Sequence, residues 1–119
     1  MEAAFQPAGI NFITPLSEAK YMNNCVFVGT FTHDPVLSQD NEGTFLTNFT
    51  LEVEDFRKDK SGSKRRFTDV LDFQAWHTGA EAMCSSCKKG TVISAECVAR
   101  YDEFEEVTYF RVKNFKVIK

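Results

Sequence analysis

Apolar and polar positions alternate with a period of two along most of this chain, and turn signals cut the alternation into segments. In 45–55, Phe45, Thr47, Phe49, Leu51, Val53 and Asp55 fall on one side, and Leu46, Asn48, Thr50, Glu52 and Glu54 on the other. That is a strand with one wet face. In 67–76, Phe67, Asp69, Leu71, Phe73 and Ala75 share a mostly apolar side. Thr68, Val70, Asp72 and Gln74 share the polar side, which ends in Trp76, the sole tryptophan. The period then changes. Ala80, Met83, Cys84 and Cys87 recur at i, i+3, i+4 and i+7, one stripe of a short helix. Thr78 with Glu81 forms a capping-box pattern at its start, and Lys88, Lys89 and Gly90 suit its end. Alternation resumes in 91–101, with Ile93, Ala95, Cys97, Ala99 and Tyr101 inward, and again in 107–118, where it slips near Asn114-Phe115 and predicts a bulge. Before all of these, 22–31 is β-rich.

The predicted order is strand, strand, strand, helix, strand, strand. Five strands with one helix between the third and fourth is an all-β architecture, the order of an OB-fold barrel. The helix plugs the barrel. The wet faces of strands two and three, with the hairpins that follow strands two and four, form the binding surface. Residues 1–21, punctuated by Pro7, Gly9 and Pro15, show no periodicity and read as an N-terminal arm. Its Phe5, Ile10, Phe12, Ile13 and Leu16 could dock on a partner surface. Residues 22–119 form one folded domain, of a size that sustains a core.

Charge changes this picture more than composition does. The formal net charge is −3, yet residues 57–66, RKDKSGSKRR, hold six basic side chains and one acidic one. That local +5 sits against −8 for the rest of the chain. The total argues against a generic polyanion binder and the patch argues for a local one. Ser61-Gly62-Ser63 marks its centre as a mobile hairpin tip. Twelve phenylalanines suit a strand-rich core with a few left for stacking. No apolar run is long enough to span a membrane, and the N-terminus lacks the pattern of a secretory signal or transit peptide. Cys84 and Cys87 have CxxC spacing, but Cys25 and Cys97 are isolated, and the pair lies inside the helix rather than at its start. These are expected to be reduced thiols in a cytoplasmic setting, without metal or cofactor. Asp69 and Asp72 lie on opposite faces of a strand without a nucleophile beside them, so no catalysis is expected.

From 22 to 118 the chain resembles the bacterial single-stranded DNA-binding proteins. Asn23-Asn24-Cys25-Val26-Phe27-Val28-Gly29 is similar to the family's opening N-x-V-x-L-x-G, and Asp34-Pro35 to the D-P after it. Gly43 and Asn48-Phe49-Thr50-Leu51 look like the turn glycine and the A-N-F-S-L strand. Phe56-Arg57-Lys58-Asp59-Lys60 with Gly62 is similar to the aromatic-basic hairpin, while Ala80-Glu81 and Lys88-Lys89-Gly90 resemble the surroundings of the helix. The resemblance implies sequence-tolerant binding of single-stranded DNA in replication, recombination or repair, in the cytoplasm of the cell or of a virus's host. It implies stacking on Phe56, Trp76 and Phe104. Val70 stands where the family has a further tryptophan, and Leu71 where many members have a histidine that supports a tetramer. The sequence ends at Lys119, without the glycine-rich linker and acidic tail that recruit other proteins in the family, so recruitment by that route is not expected.

The residues expected to touch DNA are therefore Phe56, Arg57, Lys58, Lys60, Lys64, Arg65, Arg66, Trp76, Arg100 and Phe104. Four carboxylates flank Phe104 and weaken its case beside phosphate; packing on a neighbouring subunit is its other reading. The apolar first strand would make a hazardous bare edge, which predicts self-association; the resemblance implies a homodimer or homotetramer. Two other classes remain open on the sequence: an OB-fold module that binds protein through its acidic tip and arm, and a thiol-redox or metal protein using Cys84 and Cys87.

Overall fold

The structure, a computed structural model, describes residues 22–119. The expected arm, 1–21, lies outside the described residues. The elements are β1 (Cys25–Phe31), β2 (Ser38–Gln39), β3 (Phe45–Lys58), β4 (Lys64–Trp76), α1 (His77–Ser86), β5 (Val92–Asp102) and β6 (Val107–Val117). The strands pair in the order β1-β5-β6-β4-β3-β2, and β1 also pairs with β3. That last pairing closes five long strands into a barrel, with two-residue β2 an added rib on β3. The β4–β6 contact is parallel and short, Phe73 against Phe110 and Gln74 against Arg111; the other pairings are antiparallel. The expected five-stranded OB-fold barrel with a helix between its third and fourth long strands is what the chain forms.

The inward parity of each strand supplies the core. Phe31, Phe49, Leu51, Phe73, Ala75, Ile93, Ala95 and Cys97 are buried. Phe73 is their hub: its ring lies 5.5 Å from Phe27, 5.5 Å from Phe49 and 5.6 Å from Phe110. Such aromatic contacts contribute about 0.5–1.5 kcal/mol each beyond the area they bury. α1 packs on β3 and β4 and plugs the barrel with Ala80, Met83 and Cys87; Cys84, at the edge of the stripe, is half-buried. Where β1 bridges β5 and β3, Gly29 leaves no room for a side chain: a Cβ there would lie 2.9 Å from Leu51 Cβ. Just outside β1, the Asn23 side chain accepts from the Ala99 N–H and donates to its carbonyl, both at 2.9 Å, so an amide extends the ladder by one place.

Several local expectations are corrected. Thr78 does not cap the helix: α1 starts at His77, its N-cap is Trp76 in extended conformation, and no side chain bonds there. β4 runs straight into the helix through His77, whose φ of 61° makes the change of direction. The helix ends at Ser86, and Lys88 to Gly90 form a separate turn closed by Thr91 N–H on the Lys88 carbonyl, with Gly90 at φ 92°. Tyr101 is 60% exposed rather than inward, because the end of β5 runs past the core into the last hairpin. The bulge falls on Lys113, one residue earlier than expected: Glu96 pairs with Asn114 and Cys97 with Val112. β1 is an open edge over only part of its length: it pairs with β5 over Cys25–Thr30, and β3 covers its other side only over Gly29–Phe31. Finally, the ladder continues to Lys58 and Lys64, leaving only 59–63 as the turn between β3 and β4.

Candidate nucleic-acid interface

The outer face of β3 and β4 is fixed by their register. Leu46 faces Trp76, Asn48 faces Gln74, Thr50 faces Asp72, Glu52 faces Val70, Phe56 faces Arg66 and Lys58 faces Lys64. Successive residues point to opposite faces, so Trp76 and Phe56 belong to one face. They stand at its two ends. Leu46 and Phe56 are ten residues apart on β3, some 33 Å at the strand rise. Two aromatics so far apart cannot contact one planar group; they mark the two ends of the face.

At one end, Trp76 is half-buried and held. Its Nε1–H donates to Gln74 Oε1, and Gln74 Nε2 donates to Asn48 Oδ1 at 3.0 Å. The Arg111 guanidinium lies 5.2 Å from the centre of the indole, within cation–π range. Arg111 reaches that place because β6 runs parallel beside β4, with Gln74 opposite Arg111. At the other end, Phe56 is 58% exposed, with Lys64 Nζ 5.3 Å from its ring centre. Arg66, also on this face, lies 3.9 Å from the Glu54 carboxylate.

Between the two ends lies an open groove of about 620 Å³. His33, Asp34, Asn48, Asp72, Gln74, Asp102, Glu105 and Tyr109 line it, over the inner rings of Phe49 and Phe73. Four carboxylates in one groove repel phosphate. The acidic hairpin supplies two of the four. Asp102 is committed to that turn, where its Oδ1 accepts from the N–H groups of Phe104 and Glu105 at 2.9 and 3.2 Å.

These residues match the single-strand binding protein family over residues 22–118. The chain belongs to that family. It is 32% identical over 72 residues to a single-stranded DNA-binding protein of Enterococcus faecalis, covering 60% of this chain and 37% of that one. It is 32% identical over 73 residues to the protein of the same name from Caldanaerobacter subterraneus, covering 61% and 47%. The aligned part thus spans less than half the length of these relatives. In fold it is similar to the single-stranded DNA binding protein of Thermus aquaticus, with TM-scores of 0.75 and 0.72 for a deletion mutant and the wild type. Both are 20% identical to it over 82% of this chain, about half of theirs.

Family membership frames the remaining expected residues. Lys58, Lys64 and Arg66 share the outer face with Phe56 and Trp76. Arg57 and Arg65 do not: they pair across the ribbon on its opposite face, over Phe67, which sequence reading had assigned to the core. Lys60 is in the turn. That turn is well tied: Asp59 Oδ1 accepts from the Ser61 hydroxyl at 2.6 Å and from the N–H groups of Ser61 and Ser63 at 2.9 and 3.0 Å. These bonds, the Ser61 hydroxyl first, hold the Asp59 carboxyl below the usual range. Arg100 is exposed on β5, opposite Tyr109, well round the barrel from Phe56. Phe104 is 98% exposed at the tip of the acidic hairpin. Arg111 was missed, although Tyr109 and Arg111 alternate with Phe110 and Val112, and that alternation placed Arg111 outward.

The cysteines are four free thiols. Cys25 faces Cys97 across β1 and β5, while Cys84 and Cys87 sit on α1 and at its end. Burial pushes the Cys97 thiol up to about 12 and raises that of Cys87, the reverse of an activated thiol. Among the described residues no group of three or more His, Cys, Asp or Glu side chains could hold a metal, and no helix is long and apolar enough to cross a membrane.

Proposed function

We propose that this protein binds single-stranded DNA with little regard to sequence, non-catalytically, as a homodimer or homotetramer, in cytoplasmic replication, recombination or repair. The strand runs along the outer face of β3 and β4. Bases stack on Trp76 and Phe56, and Lys58, Lys64, Arg66 and Arg111 take phosphates along the rims. One observation carries the reading beyond family membership: an aromatic side chain with a cation over its ring stands at each end of one sheet face. Aromatics serve any base because every base has a π-face, and a duplex hides those faces. The acidic groove supports a second reading, a module that takes a cationic protein segment there. A titration of Trp76 emission separates the two. Oligothymidine should quench it and bind far more tightly than a duplex of equal length, with affinity falling as salt rises. Equal affinity for the duplex, or no binding of either, defeats the proposal; in the latter case quenching of Trp76 by a cationic peptide would support the second reading.

A further inference from the structure

The ribbon formed by the ends of β3 and β4 stands clear of the barrel. β1 pairs with β3 only over Leu51–Val53, and β6 with β4 only at Phe73 and Gln74. From Glu54 to Lys58 and from Lys64 to Thr68 the two strands pair only with each other among the described residues. Such a ribbon has two open faces, and the period of two sends the basic residues to both. One face carries Phe56, Lys58, Lys64 and Arg66, with Glu54 among them. The other carries Phe67, Arg57 and Arg65, with Asp55 and Asp69.

The second face has an arrangement of its own. The Arg57 guanidinium carbon is 3.9 Å from the Phe67 ring centre, and that of Arg65 is 5.9 Å away. At 3.9 Å the guanidinium rests on the phenyl ring. Asp55 pairs with Arg57 through Nε, at 3.5 Å. A guanidinium supported in this way offers a flat outer side on which a base stacks and an edge of N–H groups for phosphate. Lysines cannot do both, and the basic residues on this face are both arginines.

We propose that this second face holds a further stretch of single-stranded nucleic acid, so that the ribbon is gripped by the strand on both sides. This rests on the reading of the outer face as the primary strand-binding surface. A strand leaving that face at Phe56 passes the ribbon edge and returns over Arg57 and Arg65. The second contact is then intramolecular and adds to binding only when the oligonucleotide is long enough to make the turn.

The test uses two lengths of oligothymidine: one that spans only the face between Trp76 and Phe56, and one several times longer. The comparison is between the parent and the double variant Arg57→Ala, Arg65→Ala, at equal oligomeric state by light scattering. With the short oligonucleotide, affinity should stay within about twofold and the salt slope should not change. With the long one, the footprint per chain should shrink, and the slope of log K against log salt should flatten by about 1.4, at about 0.7 per lost phosphate contact. Arg57→Lys, Arg65→Lys, which keeps the charge, should restore the slope and lose part of the affinity. Equal effects on both lengths would place these arginines on the primary path, and no effect on either would leave the second face empty; each overturns the proposal. A parent that binds neither length defeats the primary reading instead, which the short oligonucleotide alone reveals.

Discussion

Trp76 shows what a single residue can decide. It is the last residue of β4 and the N-cap of α1, so it has a structural duty as well as a proposed functional one. Its ring is fixed by the bond to Gln74 and faced by Arg111. If a base stacks there, Trp76→Ala should weaken oligothymidine binding five- to a hundredfold, from the 1–3 kcal/mol of base–aromatic stacking, while Trp76→Phe keeps most of the affinity. A purely structural tryptophan predicts a lower melting temperature with normal binding by the folded variant. Binding measured well below the melting transition distinguishes them. Thr47 is the opposite case, a residue whose polarity serves nothing visible. It is fully buried, and its hydroxyl finds no hydrogen-bond partner among the described residues. Thr47→Val has nearly the same shape and removes that buried hydroxyl, so it should raise stability by about 1 kcal/mol. A denaturant titration showing destabilisation would mean that the hydroxyl has a partner.

At the scale of elements, the strands were legible because each has one buried face, and burial imposes the period of two. The helix was legible as a stripe, but its start was not. A capping box is a local preference, and here β4 feeds α1 without a loop, so tertiary packing settles the boundary. The basic hairpin misled for a related reason. A ribbon with both faces in water has no apolar side, so nothing in 57–66 announced a ladder reaching Lys58 and Lys64. The ladder splits the basic cluster, and the prediction follows the split. Replacing Lys58, Lys64 and Arg66 by alanine should flatten the salt slope for a short oligonucleotide by about 2, three contacts at about 0.7 each. A parent-like slope would take these side chains off phosphate. The turn itself should be acid-sensitive. Asp59 is held below its usual range by the bonds it accepts, so its contribution is complete above the unfolded value of 3.8 and is lost as pH falls through the lower folded value. Amide exchange at Ser61 and Ser63, corrected for its intrinsic pH dependence, should therefore accelerate below that point and not near neutrality.

On the scale of the whole molecule, the charge is sorted rather than merely unbalanced. The composition showed a basic cluster in an acidic chain, and the fold shows where the acid goes. Asp34, from the loop after β1, Asp72 from β4, and Asp102 and Glu105 from the last hairpin converge on one groove between the two aromatic ends. Those residues are far apart in sequence; the alternation pointed to the wet faces of strands two and three and the last hairpin as the surface, but only barrel closure brings the four carboxylates together on it. Asp34 and Asp102 also have structural work, since Asp34 accepts from the Lys89 N–H at 2.7 Å and Asp102 ties the last turn. Asp72 and Glu105 show no such bond among the described residues and are the informative positions. If phosphates pass along the rims, each carboxylate opposes them across about 8 Å of solvated space. Coulomb's law in water gives about 0.5 kcal/mol for a pair at that separation, roughly a factor of two in affinity. Asp72→Asn with Glu105→Gln should then tighten oligothymidine binding about fourfold at low salt, and the gain should vanish as screening increases. Thymine is the informative base, because it lacks an exocyclic amino group that a carboxylate could accept from. If the double variant instead binds oligocytidine more weakly while binding oligothymidine as the parent does, the carboxylates are reading base amino groups and not repelling the backbone. An unchanged affinity for both would place the strand outside the groove altogether, and the path between Trp76 and Phe56 would have to be redrawn.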